Sequence, residues 1–140
     1  AFERRGQPGF GERAHRIGFH GASVLMAVNN METEMKQEKL QQLMDKYQSL
    51  GVMKAGELLL YPQDALQFLD DLAIIRVRIL GVDLWYFVKD LIAEDLACLD
   101  LSSYAVESPN QIDQRILAAK QFISFSLPSH IDLVSFVLDI

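Results

Sequence analysis

Six carboxylates lie between Asp83 and Glu107, namely Asp83, Asp90, Glu94, Asp95, Asp100 and Glu107, and the only basic residue among them is Lys89. Such a set admits several chemistries. A glycosidase-like acid pair needs two carboxylates at a fixed separation with different pKa values. A hard-oxygen metal site needs clustered ligands, and the loop spacing of a calcium hand is absent. A solvated strand face needs nothing further. A recognition patch needs contact area as well as charge, and Trp85, Tyr86 and Tyr104 interleave with the carboxylates. Aromatic rings give large contact area at low entropy cost, and carboxylates steer a basic partner. The residues alone leave these readings open.

The remaining reactive residue types are sparse. His15 and His20 lie near the amino terminus, and His130 stands alone after Pro128-Ser129, where it reads as a solvated loop side chain. Cys98 has Asp95 and Asp100 nearby; acidic neighbours disfavour the thiolate, so a buried packing role is expected for it. There is no His-Glu-x-x-His, no phosphate-binding glycine loop and no Gly-x-Ser-x-Gly elbow. Gly6, Gly9 and Gly11 lack the strand and helix that a dinucleotide site requires. The sequence therefore predicts no catalytic residue, no metal site and no cofactor.

The elements that must position these groups follow from apolar spacing. Leu40, Leu43, Met44, Tyr47 and Leu50 recur at three- and four-residue intervals, which predicts an amphipathic helix over Glu34–Leu50 with Gly51 as its left-handed cap. The run Leu58-Leu59-Leu60-Tyr61 fits a short strand or a helical turn. Pro62 opens a second helix with a stripe of Ala65, Leu66, Leu69, Leu72 and Ala73. Period two replaces period 3.6 at about Ile75, where β-branched residues become dense. Residues 82–99 read as a hairpin turning at Lys89-Asp90, with a second strand from Leu91 to about Ser103; a helix capped by Asp83 is the alternative. In the hairpin, Trp85 and Tyr86 point to opposite faces, so at most one of them belongs to the core. Ser108-Pro109 starts a last helix with a stripe of Ile112, Ile116, Ala119, Phe122 and Ile123, and a strand over Ile131–Ile140 ends the chain. The expected fold is α+β: a mainly antiparallel sheet of three or more strands packed against two to three helices.

Composition bounds the rest. A chain of 140 residues, half of them hydrophobic, can bury one core without staples, and its single cysteine excludes an internal disulfide. A cytoplasmic location is expected. Residues 1–30 hold five of the eight glycines and four Arg against two Glu, and read as a flexible or upstream extension of a single domain spanning 31–140. The apolar run Ala22 to Val28 is at the short end for a signal-peptide core and far too short for a membrane span. Residues 31–140 carry nine basic against seventeen acidic side chains. That balance repels nucleic acid and anionic membranes, and leaves basic proteins as the natural charged partners.

Several segments together resemble a known family. They are Asp64-Ala65-Leu66-Gln67-Phe68-Leu69-Asp70-Asp71-Leu72, Ile79-Leu80-Gly81-Val82-Asp83-Leu84-Trp85, Ala118-Ala119-Lys120-Gln121-Phe122-Ile123 and Leu133-Val134-Ser135-Phe136-Val137-Leu138. This order is similar to that of small α+β immunity proteins of bacterial polymorphic toxin systems, over about residues 57–140. The sequence departs from that pattern in the apolar run Leu84-Trp85-Tyr86-Phe87-Val88. The resemblance implies a non-enzymatic inhibitor that occludes a cognate toxin domain, expected to be basic, in the cytosol. Asp83, Tyr86, Asp90, Glu94, Asp95, Asp100 and Tyr104 are then the expected contact residues. The rival readings are a small-molecule-binding α+β module and a homo-oligomeric interaction protein, a homodimer among them, paired through its apolar hairpin face and terminal strand.

Overall fold

The computed structural model describes residues 24–103 and 110–139. In chain order the elements are α1 (Val24–Gln48), β1 (Val52–Lys54), β2 (Glu57–Leu59), α2 (Pro62–Ile75), β3 (Arg78–Val88), β4 (Leu91–Asp100), α3 (Gln111–Gln121), a π-helical turn (Phe122–Ser126) and β5 (Leu133–Asp139). The expected α+β architecture is present. β3 is the central strand of an antiparallel sheet ordered β4-β3-β5, and β1 and β2 form a separate antiparallel hairpin. The two sheets join at one point, where Leu60 and Val134 exchange backbone hydrogen bonds of 2.8 Å in both directions.

Local sequence explains most of the element boundaries. The β1–β2 turn is Ala55-Gly56, with both residues at positive φ, as a two-residue hairpin requires. Pro62 begins α2 where its missing N–H is harmless, and Asp64 lies in the first turn. The end of α2 differs from the expectation. Ile74 and Ile75 are helical rather than the start of a strand, because the stop is set by Arg76 in the left-handed region (φ 60°). The Arg76 and Val77 N–H groups donate to the Ala73 and Leu72 carbonyls, a Schellman closure made without glycine. Arg76 also spans to α3, where Nη1 meets Asp113 Oδ1 at 2.7 Å. The hairpin reading of residues 82–99 is correct: β3 and β4 pair antiparallel, and Lys89 turns the chain at φ 56°.

The expected role of Gly51 as a left-handed cap is also corrected, since among the described glycines only Gly56 has positive φ. Gly51 is required by close approach instead. A Cβ there would stand 2.3 Å from the Leu59 carbonyl oxygen and 2.9 Å from Leu60 Cδ2. α1 itself begins at Val24 and runs through residues 30 and 31 without a break.

Two apolar clusters sit on opposite faces of the sheet. The larger joins Leu40 and Tyr47 of α1, Phe68, Leu69 and Leu72 of α2, Val82 and Leu84 of β3, Ile116 and Ala119 of α3, Ile123 and Val134. Within it Tyr47 meets Phe68 edge-on at 5.1 Å, and Phe68 stacks on Phe136 at 5.7 Å. Tyr47 Oη donates to Asp71 Oδ2 at 2.7 Å; burial, reinforced by this bond, raises the phenol pKa. The smaller cluster, Leu59, Trp85 and Leu133 with Val52 and Ile92, lies where the β1–β2 hairpin folds over the helix-free face.

Arg115 ties α3 to β3 through the larger core. Its side chain is buried, yet Nε donates to Gln111 Oε1 at 2.7 Å and Nη1 donates to the Ile79 carbonyl at 2.8 Å. A buried guanidinium without such acceptors would cost several kcal/mol. The bond to Ile79 falls beside a register shift between Ile79 and Gly81, where a strand-paired carbonyl is hardest to satisfy.

The two glycines of the hairpin region give a direct test. Gly51→Ala drives a methyl into backbone and should lower stability by about 1–3 kcal/mol. Gly56→Ala meets nothing within 4 Å and should lose only about 1 kcal/mol from its left-handed conformation. Urea denaturation of both variants checks the order; an equal or reversed ranking would contradict the close packing of Gly51 on β2.

Candidate binding site

Strand alternation decides which side chains share a face. On β3, Asp83, Trp85 and Phe87 point away from the helices, whereas Val82, Leu84 and Tyr86 point towards them. Register then fixes their neighbours. Asp83 is flanked by Cys98 of β4 and Ser135 of β5, Trp85 by Glu94 and Leu133, and Gly81 by Asp100 and Val137. Opposite Leu84 the register shifts: β4 inserts Asp95, Leu96 and Ala97 between its two paired positions. Two extra residues preserve parity, so Glu94, Cys98 and Asp100 all share the helix-free face.

The expected contact residues therefore divide. Asp83, Glu94 and Asp100 are brought together on the helix-free face. Asp90 is exposed in the β3–β4 turn. Tyr86 is half-buried against the larger core on the other face, and Asp95 joins it there. Tyr104 lies outside the described residues, as does Glu107. The described contact residues thus fall into a three-carboxylate face and a separate Tyr86–Asp95 corner, with Asp90 at the hairpin tip.

Two residues join the helix-free face from a segment whose secondary structure the sequence left open. Glu57, at the start of β2, accepts from Ser135 Oγ at 3.2 Å, and Ser135 Oγ accepts from Trp85 Nε1 at 2.9 Å. Lys54, at the end of β1, lies 6.0 Å from the Trp85 ring centroid and donates to the Ile92 carbonyl at 2.6 Å. Trp85 is consequently buried beneath the hairpin, the core alternative of the two readings its sequence position left open, and the ring is the floor of the face. The placement of Trp85 and Tyr86 on opposite faces is as expected. Glu57, Asp83, Glu94 and Cys98 are each engaged by neighbours. Asp100 folds onto Ser102, accepting from its hydroxyl at 2.6 Å and its N–H at 2.9 Å, and these bonds hold its carboxyl below the usual carboxylate range.

Cys98 is exposed, contrary to the packing role expected for it, because it lies on the uncovered face of an edge strand. His130 is exposed as expected, but it is not merely solvated. Nε2 lies 2.9 Å from Asp95 Oδ1, and its ring meets Tyr86 edge-on at 5.6 Å. The pair reaches across the central strand from the loop before β5 to the inserted segment of β4. The spacing of thirty-five residues between the partners left no local signal in the sequence.

Among the described residues, no group of three or more His, Cys, Asp and Glu side chains is placed to hold a metal ion. A cavity of about 170 Å³ opens between β2 and β5, lined by Met44, Glu57, Phe68, Ser135, Phe136 and Leu138. Its volume is below that of ordinary small-molecule sites, roughly 300–1,000 Å³. No helix among the described residues is long and apolar enough to cross a membrane. Compared with protein-family models, with curated proteins and with solved structures, the chain gives no match.

The Asp95–His130 contact makes a signed prediction. The bond from His130, followed by that from the Ala97 N–H, holds the Asp95 carboxyl below its ordinary value. Its contribution to stability is therefore present above the ordinary aspartate pKa of about 3.9 and lost as pH falls through the lower folded value. His130→Ala should raise the Asp95 pKa, read from side-chain carboxyl NMR titration, and leave that of Asp100 unchanged. An unmoved Asp95 titration would show that the imidazole does not hold it.

Proposed function

We propose that this protein is a non-enzymatic binding protein of the immunity type, which uses its helix-free sheet face to cover a basic surface on a cognate toxin domain in the cytoplasm. The observation that carries the reading is the convergence of Asp83, Glu94 and Asp100 on one face of β3 and β4, with Glu57 at its border. Carboxylates gathered on one face raise the encounter rate with a basic surface and do so less at high salt. The buried Trp85 and the bonds through Ser135 give that face a rigid floor, so little side-chain freedom is lost beneath it on association. The resemblance to immunity proteins over residues 57–140 supplies the class of partner.

The split of the carboxylates between faces makes the test specific. With the protein encoded beside this one as the first partner to assay, Glu94→Lys together with Asp100→Lys should slow association about tenfold or more at low salt, an effect that shrinks as salt is raised. Asp95→Lys, on the other face, should leave the rate within about twofold. Stopped-flow association measurements distinguish them. Unchanged rates in the double variant, or a larger effect from Asp95→Lys, would remove the helix-free face from the mechanism.

A further inference from the structure

Two ion pairs bridge α2 and α3 on their solvent-facing side. Lys120 Nζ lies 2.6 Å from Asp70 Oδ1 and Arg76 Nη1 lies 2.7 Å from Asp113 Oδ1, and all four side chains are more than one-third exposed. The bridges are six residues apart along α2 and its cap and seven along α3, and they join in opposite chain order. The two helices therefore run antiparallel and nearly in step. Between the bridges, one on each helix, stand Ile74 and Leu117, 76% and 55% exposed. Ile74 is one turn past Asp70 and Leu117 one turn past Asp113, so each shares the stripe that carries the bridges. The surface is an apolar centre with a charge at each corner. Around it the signs alternate, in the order Asp70, Lys120, Asp113, Arg76.

We propose that this surface pairs with the same surface of a second copy, about a two-fold axis parallel to the two helices. Charge complementarity selects the occupant, because an alternating square of charges is complementary to itself. With the axis along the helices, Asp70 of one copy faces Lys120 of the other and Arg76 faces Asp113. Symmetry makes each contact twice, and Ile74 covers Leu117. An axis along either diagonal would set every charge against its like. An axis across the helices also matches the charges, and Phe125 separates it from the first. This ring is 86% exposed in the π-helical turn, five residues beyond Lys120. Five residues before Asp70 is Ala65, inside α2, so the axis along the helices lays a helix of the other copy over Phe125. Five residues before Asp113 falls ahead of Gln111, where α3 starts, so the axis across the helices leaves the ring beyond a helix end. Exposed ion pairs contribute little attraction by themselves; the covered apolar centre supplies it and the corners fix the alignment. α2 and α3 lie across the sheet from the carboxylate face, so the pairing stands or falls independently of the toxin-binding reading.

Sedimentation equilibrium of the full chain should show a reversible dimer. Ile74→Glu with Leu117→Glu should raise its dissociation constant about tenfold or more. Near-ultraviolet circular dichroism should not change, since both side chains are already exposed. Lys120→Asp alone should weaken the dimer. Asp70→Lys with Lys120→Asp keeps the bridge within each chain and the contacts between copies, and should return the constant to within about threefold of the parent value. In a Cys98→Ser background, Ile74→Cys mixed with Leu117→Cys should crosslink under mild oxidation more than either variant alone. A monomer throughout the accessible concentration range would overturn the proposal. So would a dimer indifferent to the Ile74 and Leu117 substitutions, which would place association elsewhere, for instance on the β4 edge. A dimer that the exchange of Asp70 and Lys120 abolishes, or that shows no mixed crosslink, would overturn the axis along the helices.

Discussion

The period-two alternation of β3 is the constraint on which the rest of the structure depends. β3 alone in its sheet pairs on both sides, with β4 and β5, and each apolar cluster rests on one of its faces. A slip of one residue would send Trp85 into the helices and Leu84 and Tyr86 towards the hairpin, exchanging the two cores and moving every carboxylate with them. The register is held by groups that tolerate no such slip. Arg115 grips the Ile79 carbonyl from one face, and Ser135 grips the Trp85 indole from the other. Both are buried polar contacts whose loss leaves a desolvated partner, so they specify alignment more than they add attraction.

The hairpin of β1 and β2 turns this frame into a site. Without it, Trp85, Leu133 and Ile92 would form an exposed apolar patch on the helix-free face. With it, that patch is closed at one end by Val52 and Leu59, and Glu57 and Lys54 are added at its border. The fold needs Gly51 for the approach of the chain to β2, and the exchange of bonds between Leu60 and Val134 to fasten the hairpin to β5. Carboxylates displayed above a packed floor can meet a partner with little reorganisation, which supports the proposal that this face binds one.

Much of this frame was legible in the residues. The stripes of α2 and α3, the turn at Lys89-Asp90 and the opposite orientation of Trp85 and Tyr86 all follow from apolar period and turn chemistry. Parity along β3 and β4 even separates Asp83, Glu94 and Asp100 from Tyr86 and Asp95, although charge density alone groups them. What was not legible depends on distant partners. Strands of three residues, as in β1 and β2, carry too short an alternation to be distinguished from a helical turn. Arg115 and Gln111 carry no local signal of burial, because the carbonyl that satisfies the guanidinium lies thirty-six residues away in sequence. The start of α1 was hidden because the apolar spacing of Leu40, Leu43, Met44 and Tyr47 meets only polar residues, Lys36, Gln37 and Thr33, when continued towards the amino terminus.

On the proposed function, the helix-free face meets the partner and the opposite face does not. Amide chemical-shift mapping of the full chain, titrated with its cognate basic domain, tests this most directly. Perturbations should concentrate at Asp83, Glu94, Cys98 and Asp100 and along the neighbouring stretch of β5, with the exposed surface of α2 and α3 silent. Perturbations centred instead on Tyr86, Asp95 and His130, or on the outer surface of α2 and α3, would contradict it.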